Sequence, residues 1–225
     1  MAKVNLILYY QPMAAKKLHH ITIIGSIASG KSTAANIITK SLKAHLVDAD
    51  LFEENPFLEL YVKDMPRWAF ASELYFTRLR LQKVKEVLDK SKNQSVVVDA
   101  GLLMSTYVYC KNHLIQGTMT AAEWQFYLTL INDLKTKIKN PDLVVYLKTS
   151  PTTQLKRIKN RGRDFETAYK FKYLAQLTDR LEELIESFQA SHQPYLIFNS
   201  EKHNFTKPSG KRALISQVKT ALKQL

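Results

Sequence analysis

The sequence predicts an α/β domain built on a five-stranded parallel sheet with helices on both faces. Three observations predict it. Short β-rich apolar runs alternate along the chain with long helix-compatible stretches, the pattern of parallel strands joined by crossover helices. The 225 residues, 45% hydrophobic and 24% charged, suit one domain of the larger kind, and no repeat, low-complexity tract or linker divides them. The run Val96-Val97-Val98 lacks polar alternation, as a strand covered on both faces requires.

Taken in order, residues 1–18 read as an extension ahead of a domain spanning 19–225. Val4 to Tyr10 is apolar but short, no small-residue cleavage pattern follows it, and residues 1–20 hold neither Arg nor Ser, unlike a signal peptide or a mitochondrial presequence. His20–Ile24 reads as the first strand, Lys31–Lys43 as a helix and Ala44–Val47 as the second strand. Arg67–Lys90 is a long helix free of Gly and Pro, with Phe70, Leu74, Leu81, Val84 and Leu88 at the three-, four- and seven-residue steps of one buried face. Ser95–Asp99 is the third strand, Ala121–Lys139 a second long helix and Leu143–Lys148 the fourth strand. A helix opens at Thr152–Lys159, Phe171–Ser191 is helical, Tyr195–Phe198 is the last strand and Lys211–Leu225 the closing helix. Trp68, Trp124 and the tyrosines stand at helix-compatible spacing and read as core or interface.

Composition narrows the function. The net charge of +13 raises three partners: nucleic acid, an anionic membrane surface or a phosphorylated small molecule. No apolar run approaches the roughly 20 residues of a spanning helix. No nucleic-acid module is recognisable, so that reading rests on charge alone. The single cysteine excludes an intramolecular disulfide and suits a reducing cytoplasm, and the six histidines show no metal-ligand spacing.

Ligands of parallel sheets bind beyond the carboxyl ends of the strands, so chemistry belongs directly after them. The first strand is followed by Gly25-Ser26-Ile27-Ala28-Ser29-Gly30-Lys31-Ser32-Thr33, the phosphate-loop pattern Gly-x-x-x-x-Gly-Lys-Ser/Thr in its strand–loop–helix context. Its backbone N–H groups and the helix N-terminus would cradle phosphates. Lys31 would reach the β- and γ-phosphates and the Ser32 hydroxyl would ligate Mg²⁺. The pattern implies ATP or GTP and leaves the reaction open. Downstream, five of the 33 cations crowd Lys156 to Arg163. Arg157, Arg161 and Arg163 surround Gly162 on what reads as a mobile loop, a lid that would stabilise a transferring phosphoryl group and exclude water; an exposed lysine-rich helix face is the alternative. Asp50, following the second strand, could accept the proton of an attacking hydroxyl, or Asp48 or Asp50 could merely cap the next segment. Asp99, ending an apolar strand, could hold Mg²⁺ through water.

From about Ile21 to Phe205 the chain resembles the deoxynucleoside kinase family, most of all its bacterial deoxyadenosine/deoxyguanosine branch. Four pieces carry the resemblance, in the family's order: the phosphate loop Gly25–Thr33; Asp50-Leu51-Phe52-Glu53-Glu54-Asn55-Pro56-Phe57-Leu58, similar to Glu-Pro-Val-Asp/Glu-x-Asn-Pro-x-Leu; Asp64-Met65-Pro66-Arg67-Trp68-Ala69-Phe70 continuing to Glu73-Leu74-Tyr75-Phe76; and Arg157-Ile158-Lys159-Asn160-Arg161-Gly162-Arg163-Asp164-Phe165-Glu166. It implies a three-layer phosphate-loop kinase fold with an arginine-rich lid and Mg²⁺-dependent phosphoryl transfer from ATP, or another nucleoside triphosphate, to a deoxynucleoside 5′-hydroxyl in cytoplasmic nucleotide salvage. It further implies a homodimer through the two long helices. By the same resemblance Asp50 is the base, with Lys31, Arg161 and Arg163 acting on the phosphates. Glu73 aligns with a base-reading Gln, Arg80 follows two turns on, Tyr109 stacks on the base, Glu166 meets the sugar, and Tyr61 neighbours the family's sugar-contacting tyrosine.

Glu73 with Arg80 would complement guanine, which has donors at N1 and N2 and acceptors at O6 and N7. A purine acceptor, foremost deoxyguanosine, is therefore expected; a Glu73–Arg80 surface ion pair is the alternative. Two departures stand out: Asp50 replaces the family's Glu, and Asp99-Ala100-Gly101 replaces Asp/Glu-Arg-Ser. The lost arginine favours the rival expectation of a weakly active or non-catalytic nucleotide-binding subunit that regulates a partner kinase.

Overall fold

A computed structural model describes residues 17–49, 52–135, 139–163, 166 and 168–225. Five parallel strands, β1 (His20–Ile24), β2 (His45–Asp48), β3 (Val96–Asp99), β4 (Leu143–Lys148) and β5 (Tyr195–Asn199), lie in the order β2-β3-β1-β4-β5. Between them run α1 (Lys31–Leu42), α2 (Leu58–Lys63), α3 (Met65–Lys90), α4 (Lys111–Gln116), α5 (Ala121–Lys135), α6 (Pro151–Arg161), α7 (Phe171–Ser191) and α8 (Pro208–Lys223). The expected strands and long helices are present, with ends that match or shift by up to three residues, except that the helix expected over Ala121–Lys139 is described to Lys135, residues 136–138 lying outside the described residues. Three short pieces escaped sequence reading: a 3-10 turn at Phe52–Glu54, α2, and a π-helix at Met104–Cys110 that runs into α4. Each is shorter than the window in which helical periodicity becomes visible.

The sheet is covered on both faces because its strands are apolar at successive positions. Ile21 and Ile23 of β1 and Leu143, Val145 and Leu147 of β4 pack with Ala34, Ala35 and Ile38 of α1 and Leu214 and Val218 of α8. The alternating Ile24, Val144 and Tyr146 pack with Met104 and Val108 of the π-helix and with Leu174, Leu177 and Leu181 of α7. This period of two, satisfied on both sides, is what a central parallel strand requires. β1 lies mid-sheet between β3 and β4. Its carboxyl end, where the phosphate loop begins, therefore opens where the chain crosses from one half of the sheet to the other.

Two helix starts are written locally. The Asp64 carboxylate caps α3 by accepting from the Arg67 N–H at 3.3 Å, with Pro66 in the first turn. Ser150 caps α6 in the same way, accepting from the Thr153 N–H at 3.3 Å, with Pro151 beside it. Pro in the first turn loses no intrahelical bond, and the caps satisfy otherwise orphaned donors.

Candidate active site

The phosphate loop joins β1 to α1. A Cβ at Gly25 would come within 2.5 Å of Ser29 Oγ and 3.1 Å of the Leu147 carbonyl, so the loop closes only over a glycine. Gly30, at φ +100, precedes α1 in the left-handed region that favours glycine. Lys31 opens α1, 7% exposed, and its ammonium donates to the Ser26 carbonyl at 3.2 Å. The Ser26 hydroxyl is spent on Gln154 Oε1 at 2.8 Å, which ties the loop to α6.

Over this loop lies a cavity of about 370 Å³, lined by Ile27, Ala28, Gly30, Lys31, Ser32 and Thr33 from the loop and α1, by Tyr61 from α2, and by Glu73 and Arg80 from α3. Tyr109 of the π-helix, Arg157, Arg161, Arg163 and Glu166 complete the expected set on its walls. Of the other expected residues, Gly25, Ser26 and Ser29 lie behind the lining. Asp99 ends β3 opposite Ile23 of β1 and Asp48 of β2, buried and outside the lining. Asp50 lies outside the described residues, as do Asp164 and Phe165 of the lid segment.

The arginines correct the reading of a loose loop. Arg157 and Arg161 stand on α6, which ends at Gly162 in the left-handed conformation (φ 68), and only Arg163 follows it. Arg157 is braced on the phosphate loop itself: it donates to the carbonyls of Ala28 (3.2 Å) and Ser29 (3.1 Å) and to the carbonyl of Ser200 (2.8 Å). Arg161 forks onto Glu166, with Nε to Oε2 at 2.9 Å and Nη2 to Oε1 at 2.6 Å, the strong bidentate geometry of guanidinium and carboxylate. Arg163 reaches the same carboxylate at 3.3 Å and lies over the Phe52 ring, 3.9 Å from its centroid. Glu166 is thus a buried anion shared by two cations.

The end of the cavity walled by α3 is buried and polar. Glu73 and Arg80 are 5% and 4% exposed, so they are not a surface ion pair. Arg80 donates to the Ala49 carbonyl at 3.3 Å and to the Ser105 hydroxyl, and lies over the Phe76 ring at 5.0 Å. Glu73 accepts from the Cys110 thiol at 3.9 Å. Burial pushes its carboxyl up to about 7, against the pull of Arg80. The turn of α2 carries Tyr61 into the cavity and Val62 to the other side. The Tyr61 hydroxyl meets Tyr173 Oη at 2.9 Å and His113 Nε2 at 3.3 Å, and His113 Nδ1 meets Thr118 Oγ1 at 2.8 Å. Burial lowers His113 to about 4, so it is neutral near pH 7.

Tyr173, Tyr169, Phe52, Leu58 and Phe76 also line the cavity and were not expected there. Phe76 had a signal, since it lies one turn after Glu73 on the same helix face. Tyr173 had none, because its spacing on α7 reads as core.

A model of the family described as deoxynucleoside kinase matches residues 21–223. The chain belongs to the deoxynucleoside kinase family. Among its relatives, a deoxyadenosine/deoxycytidine kinase of Bacillus subtilis is 29% identical over 184 residues, 77% of this chain and 82% of that one. A deoxyguanosine kinase of Lactobacillus acidophilus is 27% identical over 216 residues, 91% of each chain. The solved structure of a deoxyadenosine kinase from M. mycoides, holding dCMP and dCDP, matches the fold with a TM-score of 0.77 at 24% identity, covering 92% of this chain and all of that one. As a member of this family the chain is a nucleotide-binding kinase, a transferase of phosphoryl groups. No helix among the described residues is long and apolar enough to cross a membrane.

Proposed function

We propose that this kinase transfers the γ-phosphoryl group of ATP to the 5′-hydroxyl of a purine deoxynucleoside, foremost deoxyguanosine, in cytoplasmic nucleotide salvage. The observation that carries the purine reading is that Glu73 and Arg80 stand together on one buried cavity wall. A carboxylate accepts and a guanidinium donates, and guanine offers the matching donors at N1 and N2 and acceptors at O6 and N7. Tyr109 would stack on the base, and Tyr61 and Glu166 would hold the sugar. The relatives named above act on deoxyadenosine, deoxycytidine or deoxyguanosine, a range within which the Glu73–Arg80 wall favours the guanine edge.

The donor phosphates would lie in the loop Gly25–Thr33 under Lys31, with Arg157, Arg161 and Arg163 around them. For Mg²⁺, the donor set fits an ion carried by the nucleotide rather than one caged by protein. Among the described residues no three His, Cys, Asp or Glu side chains come together as a metal site, and Mg²⁺ characteristically takes one or two protein oxygens beside substrate phosphates and water. The Ser32 hydroxyl and Asp99 would supply those oxygens, and the ion would neutralise charge on the transferring group. Asp50 would take the proton of the attacking hydroxyl. The chain would act as a homodimer paired through α3 and α5.

Purified protein assayed with ATP and each of the four deoxynucleosides tests the reading. Deoxyguanosine should give the highest kcat/KM. Asp50→Asn should lower kcat by about 10²-fold or more, the usual size of a general-base contribution. A clear preference for a pyrimidine would overturn the purine reading, and no turnover with any acceptor would overturn the activity.

A further inference from the structure

Glu73 enters no ion pair among the described residues, although it lies on the wall of a cavity rich in arginine. Arg80, seven residues on, turns Nε to the Ala49 carbonyl and Nη1 to the Ser105 hydroxyl. The thiol of Cys110, at 3.9 Å, is a weak donor. Among the described residues neither proton state of Glu73 has a strong partner, which leaves its carboxyl available to a ligand in the cavity. The two states present different edges. A carboxylate offers two acceptors side by side, and a carboxylic acid offers one acceptor beside one donor. Nucleobases divide the same way. Guanine shows two adjacent donors, N1–H and N2–H. Adenine and cytosine each show an amino donor beside a ring-nitrogen acceptor.

We propose that Glu73 selects the base by its own proton: as the carboxylate it takes the paired donors of guanine, and as the neutral acid it takes the amino-plus-ring-nitrogen edge of adenine or cytosine. The proposal rests on the reading above that Glu73 faces the base. One titration, rather than several side chains, would then read more than one base.

Both states are accessible near neutrality, since burial raises the carboxyl to about 7. The groups that face Glu73 are Arg80 on its own helix, Cys110 from the π-helix, Tyr127 from α5, Tyr61 from α2 and Tyr173 from α7. Across the cavity stand Lys31, Arg157, Arg161, Arg163 and Glu166. Burial pushes the thiol and the three phenols up, and holds His113 behind Tyr61 down at about 4. The thiol, the three phenols and His113 therefore keep one proton state between about pH 5.5 and 8.5, a range in which the unperturbed nucleobases do not titrate and kcat/KM reports the free enzyme.

The test is kcat/KM for deoxyguanosine and deoxyadenosine across that range. The deoxyguanosine-to-deoxyadenosine ratio should climb with pH, by up to about tenfold per pH unit if each base demands one proton state. Glu73→Gln, whose amide permanently offers one acceptor and one donor, should favour deoxyadenosine with a ratio flat in pH. An analogue makes the same test on the unaltered protein: 2-aminopurine deoxyriboside, with an amino group beside a bare N1, should follow deoxyadenosine. A flat ratio in the unaltered protein overturns the proton switch. In that case a shift of preference in Glu73→Gln still upholds the contact with the base, whereas an unchanged preference removes that contact and the switch together.

Discussion

Glu73 is also where the site works against the fold. Its folded pKa of about 7 stands above the ordinary glutamate value of about 4.5, so the native protein binds the proton more tightly than the unfolded chain. Unliganded stability is therefore undisturbed by this group below pH 4.5 and falls as pH rises from there to about 7, by roughly 3 kcal/mol if the whole shift is realised. Thermal unfolding of Glu73→Gln should match the parent near pH 4 and exceed it near pH 8; an offset independent of pH would refute the buried charge. His20 and His113 have the opposite sign. Each is lowered from 6.5 to about 4 by burial, so their contribution is present above pH 6.5 and is lost as pH falls toward 4, by up to about 3 kcal/mol apiece. Replacing His113 by Gln should flatten the acid limb of a stability–pH curve by about that amount, a change measurable by urea unfolding between pH 4 and 7. None of these shifts is written in the residue types. Glu73 was legible as a candidate base reader only through its register with a family motif, and its burial comes with neighbours such as Cys110 and Tyr127 far away in sequence.

At the scale of elements, the lid end of α6 shows how a charged motif becomes a device. Arg161 and Arg163 converge on one buried carboxylate, Glu166. Glu166→Gln would leave both guanidinium groups without their anion and free to wander from the phosphates. We expect kcat to fall by about 10- to 100-fold, the scale of lost charge positioning, with little change in thermal stability because both arginines reach solvent. A drop in stability equal to the drop in activity would point to a merely structural pair. The arginine spacing was legible because Gly162 marks the helix end, but the placement of Arg157 on the phosphate-loop carbonyls was not, since it depends on how α6 packs against α7 and is tied to the loop through Gln154 and Ser26. Helix ends offer a second prediction. Lys43 closes α1 in the left-handed region, at φ 51, exposed to solvent. Lys43→Gly should stabilise the fold by about 0.5–1 kcal/mol, read as a rise in Tm.

For the whole molecule, several large apolar side chains stay exposed among the described residues, Phe126 the most of them. Phe126 on α5 is 58% exposed and meets Phe70 of α3 edge-on at 6.3 Å, above the cluster of Met119, Tyr127 and Ile131. If copies pair through these helices, Phe126→Glu should turn a dimer into a monomer in sedimentation velocity, whereas an unchanged mass would place the interface elsewhere. The net charge of +13, which at first pointed to polyanions in general, acquires meaning only where five cations gather at the lid. The sequence by itself determined the sheet, the long helices, the phosphate loop and the motifs that mark donor and acceptor ends, because apolar period, helix caps and glycine conformation are local physics. Only the tertiary structure decided which of those residues share one cavity, that Tyr61 rather than Val62 enters it, and that Glu73 and Arg80 are buried beside each other without pairing. Those outcomes depend on desolvation and on contacts between elements distant along the chain, which no local pattern encodes.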